Sequence, residues 1–589
     1  MTNNESEANQ IVAATIVDEL VRNGVSVACL SPGSRSTPLA LALLRSSEMK
    51  CQVLLDERSS GFFALGSAKV SKNPVVVLTT SGTAAAELSP AVVEASQSGV
   101  SLIIITADRP LELYGTGSAQ TIDQTQLYAG YLRSRRLFDA GSTSSHAWLR
   151  SIISRLVLES RGTLSAPGPV HLNVSFREPL ITANQTVPNV LTAKNKGPWY
   201  QVFDFSQLHD TTAFAELLLT QKRGLLIVGE TNEPEAAYVI SELLGWPTLV
   251  DARSPIVCRS TYSVSHHDTF VRIKELAHEL EPSFVLYLGR PQASKALASF
   301  IGTNRELTTK NRVLVFSGSP AGFDPDGSVD GYVVGSMEHL VTALSRLEVE
   351  TNICQEPNFT NKYLTYDRIA RSVIEKLLQN KELGTEIALM YHVLNGLGPT
   401  DLLFVSASMP LRDLENFGTK GSQTPQVFEN RGVNGIDGIL ATFAGVMNAK
   451  VDFESDSIAV LIAGDLAFLY DVSFLREFGQ MVGNALIVVI DNNGGGIFSF
   501  LAQRKLLSDV EFEKLFGTPH NIDLGALITG FGIEATCVDN ADQIPKLIAE
   551  QRQCANVRVA VVKSDRNANL QAHDYLYNMI EESILDSLR

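Results

Sequence analysis

Oxygen-bearing side chains follow two consecutive apolar runs in the last third of the sequence. Asp465 comes shortly after the run 458–462, in GDLAFLY, and Asn492 opens NNGGGIF after the next run. A hard divalent cation prefers oxygen ligands, and the Asp carboxylate, the Asn amide and the backbone carbonyl of Gly494 supply three. Diphosphate and water would complete an octahedron around Mg²⁺, and the glycines 494–496 let a backbone approach phosphate closely. The spacing predicts a Mg²⁺–diphosphate site, with plain turns as the alternative.

Charged and hydroxyl groups also follow the apolar runs of the first third. They include Ser34 and Arg35 in SPGSRSTP, Glu57 in DERSS, and Arg109 in ADRP. Ligands of open parallel sheets bind outside the carboxyl ends of the strands, so these groups are candidate site residues. Ser and Asp as helix caps would explain any one loop, but they explain the repeated Arg and Glu less well.

The elements that position these groups alternate between short apolar strands and helices, which predicts an α/β fold of three doubly wound parallel-sheet domains. The predicted strands are 25–30, 53–55, 75–78, 102–106, 170–174, 224–228, 248–250, 284–288, 313–316, 402–405, 458–462, 486–490 and 557–562. The predicted organisation is a first domain 1–185, a linker 186–215, a middle domain 216–350, a linker 351–365 and a last domain 366–589.

Composition narrows the class of protein. The 589 residues carry a formal net charge of −16, which argues against nucleic acid as the main partner. No apolar run approaches the roughly 20 residues of a membrane span, so we expect no stable membrane insertion. The polar N-terminus is unlike a signal peptide, and the six cysteines form no C-x-x-C pair. Free thiols and a cytoplasmic location are therefore expected.

Longer segments carry a family resemblance. They are SPGSRSTPLALAL, DERSSGFFALGSAKVSKNPVVVLTTSGTAAAELSPAVVEA, ITADRPLEL, NRGVNGIDG and NNGGGIFSFL. Together they resemble the thiamine-diphosphate-dependent 2-succinyl-5-enolpyruvyl-6-hydroxy-3-cyclohexene-1-carboxylate synthase (MenD) family. The match is dense in the first and last thirds and thin in the middle, where RGLLIVGE and LGWPTLVD carry it.

The resemblance implies a pyrimidine-binding, a middle and a diphosphate-binding domain. It implies decarboxylation of 2-oxoglutarate and addition of the succinic semialdehyde unit to isochorismate, in menaquinone or phylloquinone biosynthesis. The implied cofactors are thiamine diphosphate and Mg²⁺, with Mn²⁺ as a second possibility. The implied assembly is a homodimer or a dimer of dimers, with each site shared between two chains.

The same resemblance assigns residue roles. Glu57 would hydrogen-bond the cofactor's aminopyrimidine N1′; its alternative is a surface salt bridge to Arg58 or Lys69. Ile436 would support the bent cofactor, and an ordinary core isoleucine is the alternative. The implied cofactor contacts are Glu57, Gly435, Ile436, Asp465, Leu466, Ala467, Asn492, Gly494, Ile497 and Phe498.

Anionic substrates call for cationic side chains. The residues that match the family in this role are Ser34, Arg35, Arg109, Gln120, Lys295, Ser408, Arg412 and Arg431. Arg35, Arg109, Gln120 and Lys295 would face isochorismate, and Arg412 and Arg431 a carboxylate derived from 2-oxoglutarate. Solvated surface arginines are the alternative.

The chain departs from the family at one position of this set. The family often has a second basic residue directly after the lysine, where this chain has Ala296, and Arg290 is a candidate substitute. No histidine lies in these motifs, and His171, His392 and His573 are expected to be structural.

Two other functions compete. Another thiamine-diphosphate enzyme, such as an acetohydroxyacid synthase or a simple 2-oxo acid decarboxylase, would share the diphosphate motif without needing this set of arginines. A nucleotide-binding or regulatory protein on a doubly wound scaffold is the second rival, although no G-x-G-x-x-G follows the strand at 224–228.

Overall fold

The structure is a computed structural model of the single chain. It describes residues 2–141, 146–164, 166–181, 197–200, 211–254, 256–290, 294–307, 312–316, 329–333, 335–348, 356–418, 424–449, 457–481 and 483–589. The described residues form two compact units. Unit 1 comprises Met1–Phe203, Asn430–Asp452 and Leu469–Gln480, and unit 2 comprises Asp204–Glu429, Phe453–Phe468 and Met481–Arg589.

The described strands build three six-stranded sheets whose pairings are all parallel. The sheet of unit 1 contains β1 (Val27–Leu30), β2 (Lys50–Val53), β3 (Val75–Thr79), β4 (Leu102–Asp108), β5 (Ser134–Asp139) and β6 (Val170–Ser175). The first sheet of unit 2 contains β7 (Gly224–Val228), β8 (Thr248–Val250), β9 (Ser263–Val264), β10 (Phe284–Leu288), β11 (Arg312–Phe316) and β12 (Gly331–Val333). Its second sheet contains β13 (Leu402–Val405), β14 (Gln426–Phe428), β15 (Ala459–Gly464), β16 (Ala485–Asp491), β17 (Glu534–Val538) and β18 (Val557–Lys563).

Strand order relates the sheets to one another. The first sheet runs β2-β1-β3-β4-β6-β5, and the third runs β14-β13-β15-β16-β18-β17, which is the same order counted within each sheet. The middle sheet runs β12-β11-β10-β7-β8-β9, the order of a doubly wound dinucleotide-type fold. The predicted α/β class with three doubly wound parallel sheets is confirmed.

Helices connect these strands. Those of unit 1 are α1 (Thr2–Arg22), α2 (Thr37–Arg45), α3 (Glu57–Ser71), α4 (Thr83–Ala86), α5 (Ser89–Ser98), α6 (His146–Arg161), α15 (Ile439–Ala449) and α17 (Leu475–Phe478). Those of unit 2 are α7 (Thr212–Leu219), α8 (Pro234–Leu244), α9 (His267–Phe270), α10 (Lys295–Leu307), α11 (Met337–Glu348), α12 (Pro357–Gln379), α13 (Thr385–Gly396), α14 (Met409–Phe417), α18 (Ala502–Leu506), α19 (Asp509–Phe512), α20 (Leu524–Gly530), α21 (Ile544–Gln551) and α22 (Arg566–Ser587). The short α16 (Asp465–Tyr470) begins in unit 2. Among the described helices, none combines the length and the apolar character that crossing a membrane requires.

Two sequence predictions need correction. The strand predicted at 53–55 is misplaced, because β2 spans Lys50–Val53. The linker predicted at 351–365 is partly helical, because α12 begins at Pro357. Its buried stripe (Phe359, Tyr363, Tyr366, Ala370, Ile374) packs into the core around the middle sheet. The other domain boundaries stay predictions; 186–196 and 201–210 of the first linker lie outside the described residues.

Glycines bring α3 and α15 of unit 1 into close contact. A Cβ at Gly66 of α3 would lie 2.1 Å from the Thr442 carbonyl oxygen, and one at Gly445 of α15 would lie 2.0 Å from the Phe63 carbonyl oxygen. The Ser67 hydroxyl donates to the Gly445 carbonyl at 3.2 Å. Each backbone thus rests against the other helix where a side chain would have to be, which fixes the position of the helix that begins with Glu57.

We expect Gly445→Ala to lower the unfolding free energy of unit 1 by about 1–3 kcal/mol or more, because the added methyl group would clash with the backbone of α3. Gly302→Ala is the matched control: Gly302 lies in α10 with open space around the new methyl, and alanine favours a helix. Differential scanning calorimetry measures both variants. Equal unfolding temperatures would contradict the close crossing.

Candidate active site

The residues predicted to hold a metal come together at one edge of unit 2. The strands β15 and β16 are parallel neighbours, and Asp465 and Asn492 directly follow their carboxyl ends. The buried Asp465 carboxylate accepts from the Gly494 amide at 2.9 Å and from the Leu466 amide at 2.6 Å. Asp465, Asn492 and Gly494 therefore form one cluster.

Asn492 is oriented as an oxygen ligand would be. Its side-chain amide donates to Glu386 Oε1 at 3.0 Å. Its Oδ1 is buried and has no hydrogen-bond partner among the described residues. An orphaned carbonyl oxygen beside a carboxylate fits a hard cation.

The glycines of NNGGGIF make close contacts within the protein, whereas the sequence predicted a close approach to phosphate. Gly494 has φ +139°, and a Cβ there would lie 2.0 Å from the Gly517 carbonyl oxygen. The amides of Gly494 and Gly495 donate to Asp465 and to the Gly517 carbonyl. These glycines let the loop pass residues 516–517, and their N–H groups are used within the protein.

One histidine of this cluster was missed by the sequence analysis. His520 Nε2 lies 3.2 Å from Asp465 Oδ2 and 3.5 Å from Asp491 Oδ1, and the ligand atoms of the three residues lie within 4.8 Å of one another. Asp491 is also paired with the Lys563 ammonium, which leaves it a poorer cation ligand than Asp465. For a hard cation we favour the oxygens of Asp465, Asn492 and Gly494, with His520 packed against the carboxylates. Burial raises the pKa of Asp465.

Glu57 is the first residue of α3 in unit 1. Burial raises its pKa above the ordinary range, and the negative charges of Asp56 and Glu87 act in the same direction. The alternative of a salt bridge to Arg58 or Lys69 is wrong: Arg58 pairs with Asp471 at 3.2 Å, and Lys69 lies 3.9 Å from Glu94. A half-buried carboxyl group at a helix start can share a proton with a ligand.

Residues 430–438, which precede α15, belong to unit 1 and carry Arg431, Gly435 and Ile436. The Ile436 side chain is 40% exposed, so the alternative of an ordinary core isoleucine is wrong. Glu94 accepts from the amides of Gly432 and Val433 at 2.7 and 2.8 Å, which anchors the start of this segment.

Arg35 and Arg109 of unit 1 meet at a third residue. Arg35 NH2 lies 3.0 Å and Arg109 NH1 lies 3.9 Å from the same oxygen of Glu178. Arg35 is buried, so the alternative of a solvated surface arginine is wrong for this position. The Gln120 side chain donates to the Ser81 carbonyl at 2.8 Å, and Ser34 is exposed in the loop beside Arg35.

A buried hydrogen-bond network supports this end of the sheet. Asn173 donates to Asp108 at 2.7 Å and accepts from Thr106 at 2.6 Å and from Gln124 at 2.9 Å. Because the Thr106 hydroxyl hydrogen is used toward Asn173, His171 Nε2, at 2.7 Å from the same hydroxyl, is the donor. Burial lowers the pKa of His171 to about 3, so the ring is neutral at pH 7, and the network fixes the backbone next to Arg109.

Acid should destabilise unit 1 through His171. Burial, and then the charge of Arg135, lowers its pKa from 6.5 to about 3 in the folded state. The unfolded chain then binds the proton first, so stability present above pH 6.5 is lost as pH falls, by about 2 kcal/mol at pH 5. In thermal unfolding at pH 7 and pH 5, His171→Gln should lose less stability than the parent, and the exposed control His278→Gln should lose as much. An identical loss in His171→Gln would contradict this origin.

In unit 2, Lys295 and Arg412 both line a cavity of about 290 Å³. Arg412 NH1 donates to the carbonyl of Ser408, which lies at φ +88° at the start of α14. The cavity lining within the described residues includes Arg272 and does not include Arg290, the substitute considered for Ala296. His573, Ile497 and Phe500 form part of the lining, and the His573 Nε2 atom lies 2.8 Å from Asp413 Oδ1.

Comparison with known proteins bears on the clusters of both units. Residues 11–127 match the thiamine pyrophosphate enzyme N-terminal TPP binding domain, and residues 422–563 match the C-terminal TPP binding domain. Proteins named 2-succinyl-5-enolpyruvyl-6-hydroxy-3-cyclohexene-1-carboxylate synthase from Lysinibacillus sphaericus and Geobacillus kaustophilus are each 33% identical. They match 97% and 99% of this chain and 97% and 100% of their own length. The protein of the same name from Myxococcus xanthus is 32% identical, and the match covers 98% of this chain and 98% of its own length. The chain belongs to this synthase family.

Membership of the MenD family decides between the rivals. A thiamine-diphosphate enzyme is confirmed, and neither a regulatory protein nor an acetohydroxyacid synthase is favoured. The N-terminal match contains the loops of Arg35, Glu57 and Arg109. The C-terminal match contains the cluster of Asp465 and Asn492. Lys295 and Arg412 lie outside both matches, in chain that the full-length relatives also cover.

Proposed function

We propose that this enzyme decarboxylates 2-oxoglutarate and adds the remaining succinic semialdehyde unit to isochorismate. The products are CO₂ and 2-succinyl-5-enolpyruvyl-6-hydroxy-3-cyclohexene-1-carboxylate, a step of menaquinone (or phylloquinone) biosynthesis. The observation that carries this proposal is a pair of arginines in unit 1: Arg109 and the buried Arg35 both lie near the same oxygen of Glu178. They follow strands of the same sheet as Glu57 does. Both proposed substrates carry two carboxylates, so they call for more cationic partners than the single carboxylate of pyruvate does.

The clusters of the two units have different roles in binding the cofactor and the metal. We propose that Asp465, Asn492 and the Gly494 carbonyl hold Mg²⁺, or Mn²⁺, against the diphosphate, with Leu466, Ala467, Ile497 and Phe498 beside it. In unit 1, Glu57 exchanges a proton with the aminopyrimidine N1′, and Gly435 and Ile436 support the cofactor. Thiamine diphosphate, when bound, supplies the electron sink for decarboxylation.

The polar residues orient the substrates. We propose that Ser34, Arg35, Arg109, Gln120 and Lys295 hold isochorismate. Ser408, Arg412 and Arg431 hold a carboxylate of the 2-oxoglutarate unit. Carboxylate–guanidinium pairs give geometry as well as attraction, which suits a reaction that must place two anions together.

We propose a homodimer, or a dimer of dimers, in the cytoplasm. The assembly rests on the family, and the location is supported by the described cysteines, which are all free thiols. Native mass spectrometry tests the assembly directly.

The proposed function is tested by following isochorismate loss and CO₂ release with isochorismate, 2-oxoglutarate, thiamine diphosphate and Mg²⁺ present, and with each omitted in turn. Activity should require all four components. Replacing 2-oxoglutarate with pyruvate is the control for the rival decarboxylases, and faster CO₂ release from pyruvate would refute the substrate assignment.

A further inference from the structure

Glu178 holds the position of a ligand carboxylate in unit 1. One oxygen of its side chain lies 3.0 Å from Arg35 NH2 and 3.9 Å from Arg109 NH1. The Glu178 side chain is 70% exposed, whereas that of Arg35 is 4% exposed. An exposed carboxylate is thus paired with a buried cation.

The two arginines have donor capacity beyond what Glu178 uses. Arg35 NH1 donates to the Phe176 carbonyl at 2.8 Å, which fixes the guanidinium in place. The Nε groups of Arg35 and Arg109 are buried and have no hydrogen-bond partner among the described residues. Glu178 offers one oxygen to the terminal NH groups of the pair, so a carboxylate that presents both of its oxygens would fit the two guanidinium groups better.

We propose that Glu178 is a specificity-determining residue: its carboxylate occupies the Arg35–Arg109 pair and is exchanged for a carboxylate of the acceptor substrate. This inference rests on the proposed function, in which that acceptor is isochorismate. An ion pair with so exposed a partner is weak, so replacing Glu178 by a ligand costs little free energy. Glu178 therefore competes with the acceptor carboxylate for the two arginines. A neutral ligand cannot displace it, so the pair selects for anions.

The test is the direction of the change when Glu178 loses its charge. In Glu178→Gln and Glu178→Ala, the KM for isochorismate should fall by roughly two- to fivefold, since a weak competitor is removed. The value of kcat and the Kd of thiamine diphosphate should be unchanged. Glu112→Gln is the matched control, because Glu112 is an exposed carboxylate paired with Arg177 rather than with Arg35 or Arg109. Its KM should equal that of the parent.

Binding without turnover separates this inference from the proposed function. Titrations of isochorismate and of benzoate, a simple ring carboxylate, are followed by ligand-observed NMR on the parent and on each variant without 2-oxoglutarate. Failure of the parent to bind isochorismate would refute the proposed acceptor, while the benzoate comparison would still decide the exchange. Unchanged or weaker binding in both Glu178 variants would overturn the inference, because Glu178 would then be neutral or would position the arginines.

Discussion

Replacing Asp465 with alanine should raise the Kd of thiamine diphosphate by at least about 30-fold at a fixed Mg²⁺ concentration. Losing one partner of a buried charge-assisted contact costs about 2–5 kcal/mol, and tenfold in Kd is 1.4 kcal/mol. The change removes an anionic oxygen and also leaves the amides of Gly494 and Leu466 without their acceptor. Raising the Mg²⁺ concentration should restore part of the affinity by mass action.

Isothermal titration calorimetry across a Mg²⁺ series measures this effect. Asp509→Ala is the control, because Asp509 is an exposed aspartate of unit 2 near the start of α19. Circular dichroism confirms that the variants are folded. An unchanged Kd with an unchanged Mg²⁺ requirement would refute the metal assignment of Asp465.

Replacing Glu57 with glutamine should lower kcat by about 10²–10⁴-fold, the usual contribution of a positioned proton-transfer group. The amide keeps the size of the side chain and the start of α3, but it cannot accept a proton from the aminopyrimidine. Cofactor affinity should change by no more than about tenfold, which corresponds to one hydrogen bond.

Hydrogen–deuterium exchange at C2 of the bound cofactor separates this role from a structural one. Exchange should be slow in Glu57→Gln and near normal in the control Glu87→Gln, whose exposed carboxylate is a charged neighbour of Glu57. Near-normal exchange in both variants would rule out Glu57 as the proton-transfer group.

The sequence predicted the central strands well and the edges of the sheets poorly. Strands such as β4 and β16 are buried on both faces, so they appear as continuous apolar runs. The unpredicted strands β5, β9, β12, β14 and β17 all lie at sheet edges. Edge strands face solvent on one side and carry charges, as in SRRLFD of β5, so a search for apolar runs passes over them.

The helix α12 was missed although its signals are present in the sequence. Pro357 stands at a helix start, where proline is favoured, and an apolar stripe at spacings of three and four follows it. The polar residues around Pro357 favour a linker, and this signal hides the start of the helix. By contrast, His520 and Glu178 could not have been found in this way, since each reaches its partners through contacts distant in sequence.

The shared strand order of the first and third sheets has an evolutionary consequence. Two six-stranded sheets with the same order in one chain are the expected product of duplication of an ancestral α/β module. In each copy, one helix follows the second strand. This helix is α3 after β2 in the first copy and α15 after β14 in the second, so α3 and α15 correspond to each other. Glu57 begins one of these helices and the segment with Ile436 precedes the other, so the two copies now carry different residues around the junction between the second strand and its helix.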